Sequence, residues 1–166
     1  RSSEVAKRLF SEFRGFLLVD GYASYNILET QKELFRIGCN MHGRRYFEKA
    51  KTVGAKAGQS LAEVGLKFYQ KLYEFEEGFK LLDTEERYKK RIEKHTPLWQ
   101  EFKAWAQINH KKVPPKSKIG QAFAYFLSEY DYLMGYLKDG RLEMDNGFIE
   151  RAIRKFAIGR NNWMFA

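Results

Sequence analysis

Residues 15–26 read GFLLVDGYASYN. Phe16 to Val19 is a short apolar run that stops abruptly at Asp20-Gly21. Such a run, bounded by turn residues, reads as a buried strand, here one whose last residue is an acid. A second short run, Leu34 to Cys39, reads as another strand. A helix over roughly Tyr22 to Glu33 would connect them, and strand–helix–strand logic predicts parallel pairing. Upstream, Ser2 or Ser3 can cap a short helix through Phe13, with Val5, Leu9, Phe10 and Phe13 at helical spacing.

Beyond this α/β start the pattern becomes helical, with no convincing strand from His42 to Lys138. Leu61, Val64, Phe68, Leu72, Phe75, Phe79 and Leu82 step by three or four, the mark of an amphipathic helix. A second helix is expected over Thr84 to Lys94. Pro97 is expected to start another, with Leu98, Trp99, Phe102, Trp105 and Ile108 inward. "KKVPPKSK", Lys111 to Lys118, reads as a basic linker. A further helix carries Ile119, Phe123, Phe126, Tyr130, Leu133 and Leu137, and Asp139-Gly140 is a turn. "MDNGFIERAIR", Met144 to Arg154, opens the last helix, capped by Asp145 or Asn146, with Phe148, Ile149, Ala152, Ile153 and Phe156 on one stripe. The reading is a small sheet element over 1–40, a helical block over 41–140 and a last helix within 141–166. Two strands are few for an independent sheet, so further strands are expected upstream. Arg1-Ser2-Ser3 and Trp163-Met164-Phe165-Ala166 both read as cuts through a longer protein.

Composition bounds the partners. Of 166 residues, 44% are hydrophobic and 16% aromatic, which argues against disorder. Lys plus Arg number 30 against 21 Asp plus Glu, a net charge of +9 that favours a polyanionic partner, nucleic acid first, over a merely solvated basic surface only when other features agree. Cys39 is the single cysteine, so no internal disulfide can form. No apolar run reaches the length of a membrane span, and no signal peptide is seen.

Two acids carry candidate chemistry. Asp20 stands at the carboxyl end of a strand, where open α/β sheets place ligand-binding groups, although Asp-Gly is also an ordinary turn. Glu150 can pair with Arg154 at i,i+4, worth only about 0.3–0.5 kcal/mol. Arg151, Arg154, Lys155 and Arg160 surround it, either to neutralise phosphates or as a solvated face. Cys39-x-x-His42 is half of a zinc site, but structural zinc takes four ligands, and His95 and His110 lack a fitting spacing. A buried cysteine and a histidine lining the next helix are expected instead. Two or three carboxylates converging on a pair of Mg²⁺ ions are the usual machinery for attack at a phosphodiester, and these residues allow it.

Three blocks, "FRGFLLVDGYASYN", "GCNMHGRRYFEKA" and "PKSKIGQAFAYFLSEYDYLMGYLKDGRLEMDNGFIERAIRKFAIGRNNWMFA", resemble the transposases of IS66-type bacterial insertion sequences, in order and over nearly the whole chain. The resemblance implies a helix-dominated α/β fold: a truncated ribonuclease-H-like core retaining about two parallel strands, with a large all-helical insertion. It implies an acidic triad of two Asp and one Glu. Asp20 matches the second Asp and Glu150 the Glu, as catalytic groups and metal ligands. The first Asp belongs to a strand expected upstream of Arg1, so this fragment is expected to be inactive. Asn146, Arg151, Arg154 and Arg160 would orient the carboxylate or contact DNA, and Trp163 would pack the last helix. The implied cofactor is Mg²⁺ (or Mn²⁺) in the parent enzyme, with none expected on this chain alone. The implied partners are DNA, as transposon ends and target, and a second copy of the chain, in a bacterial, nucleoid-associated cytoplasmic setting without a membrane. Gly147 stands where relatives often have a second Asn, at a cost of roughly 0.5–1 kcal/mol near a helix start. The competing class is a non-enzymatic helical DNA-binding or assembly module. A third is a structural domain without nucleic acid, with scattered positive charge.

Overall fold

The computed structural model describes residues 2–21, 33–51, 60–147, 149–151 and 153. Helix α1 (Ser2–Leu9) leads into strand β1 (Gly15–Val19). Strand β2 (Leu34–Gly38) pairs with β1 in parallel, Gly15 opposite Leu34 and Val19 opposite Gly38. The ladder continues one step past the strands, because the Cys39 N–H donates to the Val19 carbonyl at 2.9 Å. Both strands and their direction are as the apolar runs predict. Helix α1 stops at Leu9, four residues short of the expected end, with residues 10–12 in a turn. The connecting helix expected over Tyr22 to Glu33 lies outside the described residues except for Glu33, a left-handed turn residue (φ 65) whose carbonyl accepts from Gly15 N–H.

Four helices follow: α2 (Asn40–Lys49), α3 (Leu61–Gly78), α4 (Thr84–His110) and α5 (Lys118–Leu133). Their starts carry local signals. Ser60 and Glu63 form a reciprocal capping box on α3, Asp83 accepts from Glu85 and Glu86 N–H on α4, and Ser117 accepts from Gly120 N–H on α5. The helices close on one another in a ring, α2 on α3, α3 on α4, α4 on α5 and α5 on α2. Phe102 sits in the middle of their shared core, with its ring centroid 4.5 Å from Phe68 and 4.0 Å from Phe126. Trp99, Tyr69, Phe47 and Phe123 are fully buried around it. No strand occurs among the described residues of this block.

Pro97 does not start a helix; it lies inside α4. The reason is the burial pattern. Arg91, His95, Leu98, Trp99, Phe102 and Ala106 are all buried, so one stripe at spacings of three and four runs straight through the proline. The ring removes one hydrogen bond, but Pro97 and Glu93 both face solvent, where water can satisfy the freed carbonyl. Packing outweighs the breaker.

Two buried polar groups tie the helices to the segment after α5. Arg91 is fully buried. Its Nε donates to Glu76 Oε2 at 3.0 Å, and its Nη1 donates to the carbonyls of Leu142 (2.8 Å), Asp139 (3.3 Å) and Gly140 (3.4 Å). One guanidinium therefore pins the 139–142 turn to α3 and α4. Removing its counter-charge by Glu76→Ala should cost about 3 kcal/mol or more in urea unfolding, because a buried cation is left unpaired. A loss under about 1 kcal/mol would show that the pair is not structural.

His95 Nδ1 lies 2.6 Å from the Tyr136 hydroxyl, which also accepts from Trp99 Nε1 at 3.1 Å. Burial holds the His95 pKa down to about 4, from an ordinary 6.5. The unfolded chain takes up a proton near pH 6.5 that the folded chain refuses until about 4. Stability is therefore intact above that window, falls as the pH drops through it, and levels off below it. The expected loss is about 1–3 kcal/mol. Unfolding midpoints measured against pH should fall less steeply in His95→Gln; equal slopes would remove His95 as the cause.

Candidate functional site

The site begins where β1 ends. Asp20 follows Val19 and is half-buried, and Gly21 runs beneath the Tyr125 ring of α5. A Cβ at Gly21 would sit 2.6 Å from Tyr125 Cε2, so only glycine lets the strand end lie this close to α5. Asp20, Gly21, His42, Tyr46 and Tyr125 line one small cleft. The Tyr46 and Tyr125 rings stack at 4.2 Å with an interplanar angle of 19°.

Helix α2 forms the floor of the site. Its N-cap position holds Cys39, whose side chain does not cap the helix. The thiol instead donates to Asn146 Oδ1 at 2.9 Å, and burial pushes its pKa up. Cys39 is thus a buried neutral thiol that anchors the lead of the last helix, not a metal-ready thiolate. His42 and Arg45, three apart on α2, lie on the side facing that helix. His42 Nε2 is 3.6 Å from Glu150 Oε1, and Arg45 Nη2 is 3.4 Å from Glu150 Oε2. Arg45 Nη1 also lies 3.3 Å from His42 Nε2.

Residues 147, 149–151 and 153 are helical. Asn146 holds the cap position, since its carbonyl accepts the first helical bond from Glu150 N–H at 2.9 Å. Asp145 Oδ1 accepts from Gly147 N–H at 2.7 Å, bracing the first turn. Its other oxygen takes the Tyr73 hydroxyl at 2.6 Å. Burial first, and Asp145 second, push the Tyr73 pKa far up, so the hydroxyl stays a donor. Gly147 has a local reason as well: a Cβ there would meet Asp145 Oδ1 at 2.9 Å and Met41 Sδ at 3.2 Å.

Of the residues singled out in the sequence, Asp20 lines one cleft with His42, and Glu150, on the last helix, lies 3.6 Å from His42. Asn146 is engaged by Cys39, and Arg151 is exposed. Arg154, Arg160 and Trp163 lie outside the described residues, and with them the proposed Glu150–Arg154 pair. Ile149 and Ile153, expected on a packed stripe, are 57% and 61% exposed. The helix turns its Asn146/Glu150 side to α2, which leaves those isoleucines outward. The sequence predicts a structural place for His42 on the next helix but does not reveal its approach, or that of Arg45, to Glu150. The available signal was their i,i+3 spacing just after a strand, which places both on one face of α2.

The profile of the transposase IS66 family matches residues 1–166. The chain belongs to the IS66 transposase family. It is 31% identical over 137 residues to "Uncharacterized protein y4hP" of Sinorhizobium fredii (strain NBRC 101917 / NGR234), covering 77% of this chain and 25% of that protein. It is 30% identical over 174 residues to "Uncharacterized protein y4qI" of the same organism, covering 100% of this chain and 32% of that protein. The chain thus spans between a quarter and a third of the length of these curated relatives. No solved structure matches it. Among the described residues no helix is long and apolar enough to cross a membrane.

The Tyr73–Asp145 bond sets the start of the last helix and is open to a direct test. Tyr73→Phe should lose about 1–3 kcal/mol in urea unfolding, the range for a part-buried hydrogen bond to a charged acceptor. Unchanged stability would mean that Asp145 holds the turn without it.

Proposed function

We propose that the chain is part of the catalytic domain of a transposase that cuts and joins DNA by metal-dependent phosphoryl transfer. The observation that carries this reading is that Asp20 shares a small cleft with His42, which lies 3.6 Å from Glu150, an acid far from Asp20 in sequence. One comes from the carboxyl end of a parallel strand, the other from the last helix. That placement suits a ribonuclease-H-like core over 1–40 and 141–166, interrupted by a helical insertion over 41–140. Strand β1 pairs with β2 alone among the described residues, so its other edge can receive a strand bearing a third acid.

The donor set fits a hard divalent cation. Glu150 can present two carboxylate oxygens, and the nearby sulfur of Cys39 is occupied by Asn146. Bound there, Mg²⁺ or Mn²⁺ would polarise the phosphodiester and stabilise the attacking and leaving oxygens. Asp20 and Glu150 would hold the ion. Arg45 and His42 would fix the direction of the Glu150 carboxylate, and Asn146 would set the first turn that carries it. Arg151, Arg154 and Arg160 would contact DNA or steady the carboxylate. Among the described residues no three His, Cys, Asp or Glu side chains form a metal-ligand set. Two acids without the third should leave the chain alone unable to make strand-transfer product.

The reading is tested in the longer protein by Mn²⁺ binding followed by electron paramagnetic resonance. Asp20→Asn and Glu150→Gln should each weaken binding by at least about tenfold, the scale at which even ligand-supporting groups act. In the longer protein each should abolish Mg²⁺-dependent DNA cleavage. Unaltered Mn²⁺ affinity in both variants would sink the assignment, as would strand transfer by this chain alone.

A further inference from the structure

Charge is distributed unevenly along the helical block. Residues 102–128 contain five lysines, Lys103, Lys111, Lys112, Lys116 and Lys118, and no acidic residue. Elsewhere in the block several lysines are paired: Lys51 with Glu48, Lys80 with Glu77, Lys89 with Glu85, and Lys90 and Lys94 with Glu93. Those pairs neutralise the surface that carries them.

The acid-free stretch leads directly to the site. Along α2, His42, Tyr46 and Lys49 recur at four and three. Along α5, Lys118, Gln121 and Tyr125 recur at three and four. The two stripes face each other in opposite directions. His42, Tyr46 and Tyr125 line the cleft at Asp20, and Tyr46, Lys49, Lys118 and Gln121 line a second cleft beside it. Tyr46 belongs to both, so the two clefts adjoin along the α2–α5 seam, and together they make a groove divided by the stacked tyrosines. At one end stands Asp20. At the other stand Lys49 and Lys118, both exposed, and neither has a carboxylate partner among the described residues. No acid lines that end.

We propose that the α2–α5 groove is a track for the phosphate backbone of a DNA strand, held by Lys49 and Lys118 and delivered past the stacked tyrosines to Asp20 and Glu150. The inference rests on the carboxylate reading for the direction of the strand and on charge complementarity for its occupant. Seven residues of helix separate His42 from Lys49, a span of roughly 10 Å. At a rise of about 3.4 Å per nucleotide, the lysines hold phosphates about three nucleotides from the reacting bond. Gln121 donates and accepts along the wall, and the Tyr46–Tyr125 pair gives the middle of the groove an aromatic face on which a base can stack. Lysine and amide contacts to phosphate position a strand without reading its sequence.

The test is binding of a fluorescein-labelled, mixed-sequence DNA duplex by this chain, measured by anisotropy over a series of salt concentrations. The double variant Lys49→Gln with Lys118→Gln is compared with Lys89→Gln with Lys90→Gln, an equal charge change on the paired surface of α4. The groove variant should bind at least about tenfold more weakly, and its log–log salt slope should fall by about two, one per lost phosphate contact. The α4 variant should stay within about twofold of the parent. Equal losses in the two variants, an unchanged slope, or no salt-dependent binding by the parent chain would each overturn the track. The carboxylate reading is judged separately, by Mn²⁺ affinity. A lysine effect with Mn²⁺ binding indifferent to Asp20 and Glu150 keeps the track and removes the metal site, and the reverse pattern does the opposite.

Discussion

The side-chain amide of Asn40 is the tie on which the site depends. Asn40 is fully buried at the first turn of α2, one residue after the sheet ladder ends. Its Nδ2 donates to the Leu133 carbonyl at 3.0 Å and to the Met144 carbonyl at 3.1 Å, and its own N–H reaches Met144 at 3.2 Å. Leu133 closes α5, where helical carbonyls lack intrahelical donors. Met144 is the approach to the last helix. One residue therefore joins the strand end, the helical block and the helix that carries Glu150. The alternative, burying these carbonyls unpaired, costs about 1–3 kcal/mol each. Cys39 repeats the tie one residue earlier by its bond to Asn146.

From that junction outward, burial and charge divide the work. Arg91 and Arg36 are buried cations, each with a carboxylate, Glu76 and Glu129, and each beside a tyrosine ring, Tyr136 at 5.2 Å and Tyr132 at 4.0 Å. Arg91 also satisfies three carbonyls of the turn that returns the chain to the site. These interactions are structural, since a buried ion stays in place only when it is paired and hydrogen-bonded. Arg45 and His42 differ. They are only part-buried and converge on a single carboxylate, Glu150. A part-buried anion held by two cationic or polar nitrogens is arranged for orientation rather than for stability.

The helical block contributes a rigid wall. Its aromatic core, centred on Phe102, sets the spacing of α2 and α5, and that spacing sets the groove between them. The close approach of Gly21 to Tyr125 fastens the strand end to the same wall. Core packing and site geometry are thus one problem: the ring that stacks on Tyr46 also covers the residue after Asp20.

Local pattern alone determined the strands, their parallel direction, the apolar stripes of α3 and α5, and Asp20 at a strand end, because apolar run length, period and turn residues act between neighbours in the chain. It also marked Glu150 and Asn146 on one helical face. Tertiary structure decided the rest. Pro97 reads as a boundary, yet a core stripe on the opposite side carries α4 through it. Glu150 reads as a partner for Arg154, but the described structure gives it His42 and Arg45, about a hundred residues earlier. Ile149 and Ile153 read as buried and are exposed, because the Glu150 side of the helix faces α2. No local spacing encodes which side chain meets which across the fold. That choice is made by a close-packed core, and here the buried donors of Asn40 and Arg91, bonded to carbonyls of the segment before it, bring the last helix back to the strand end.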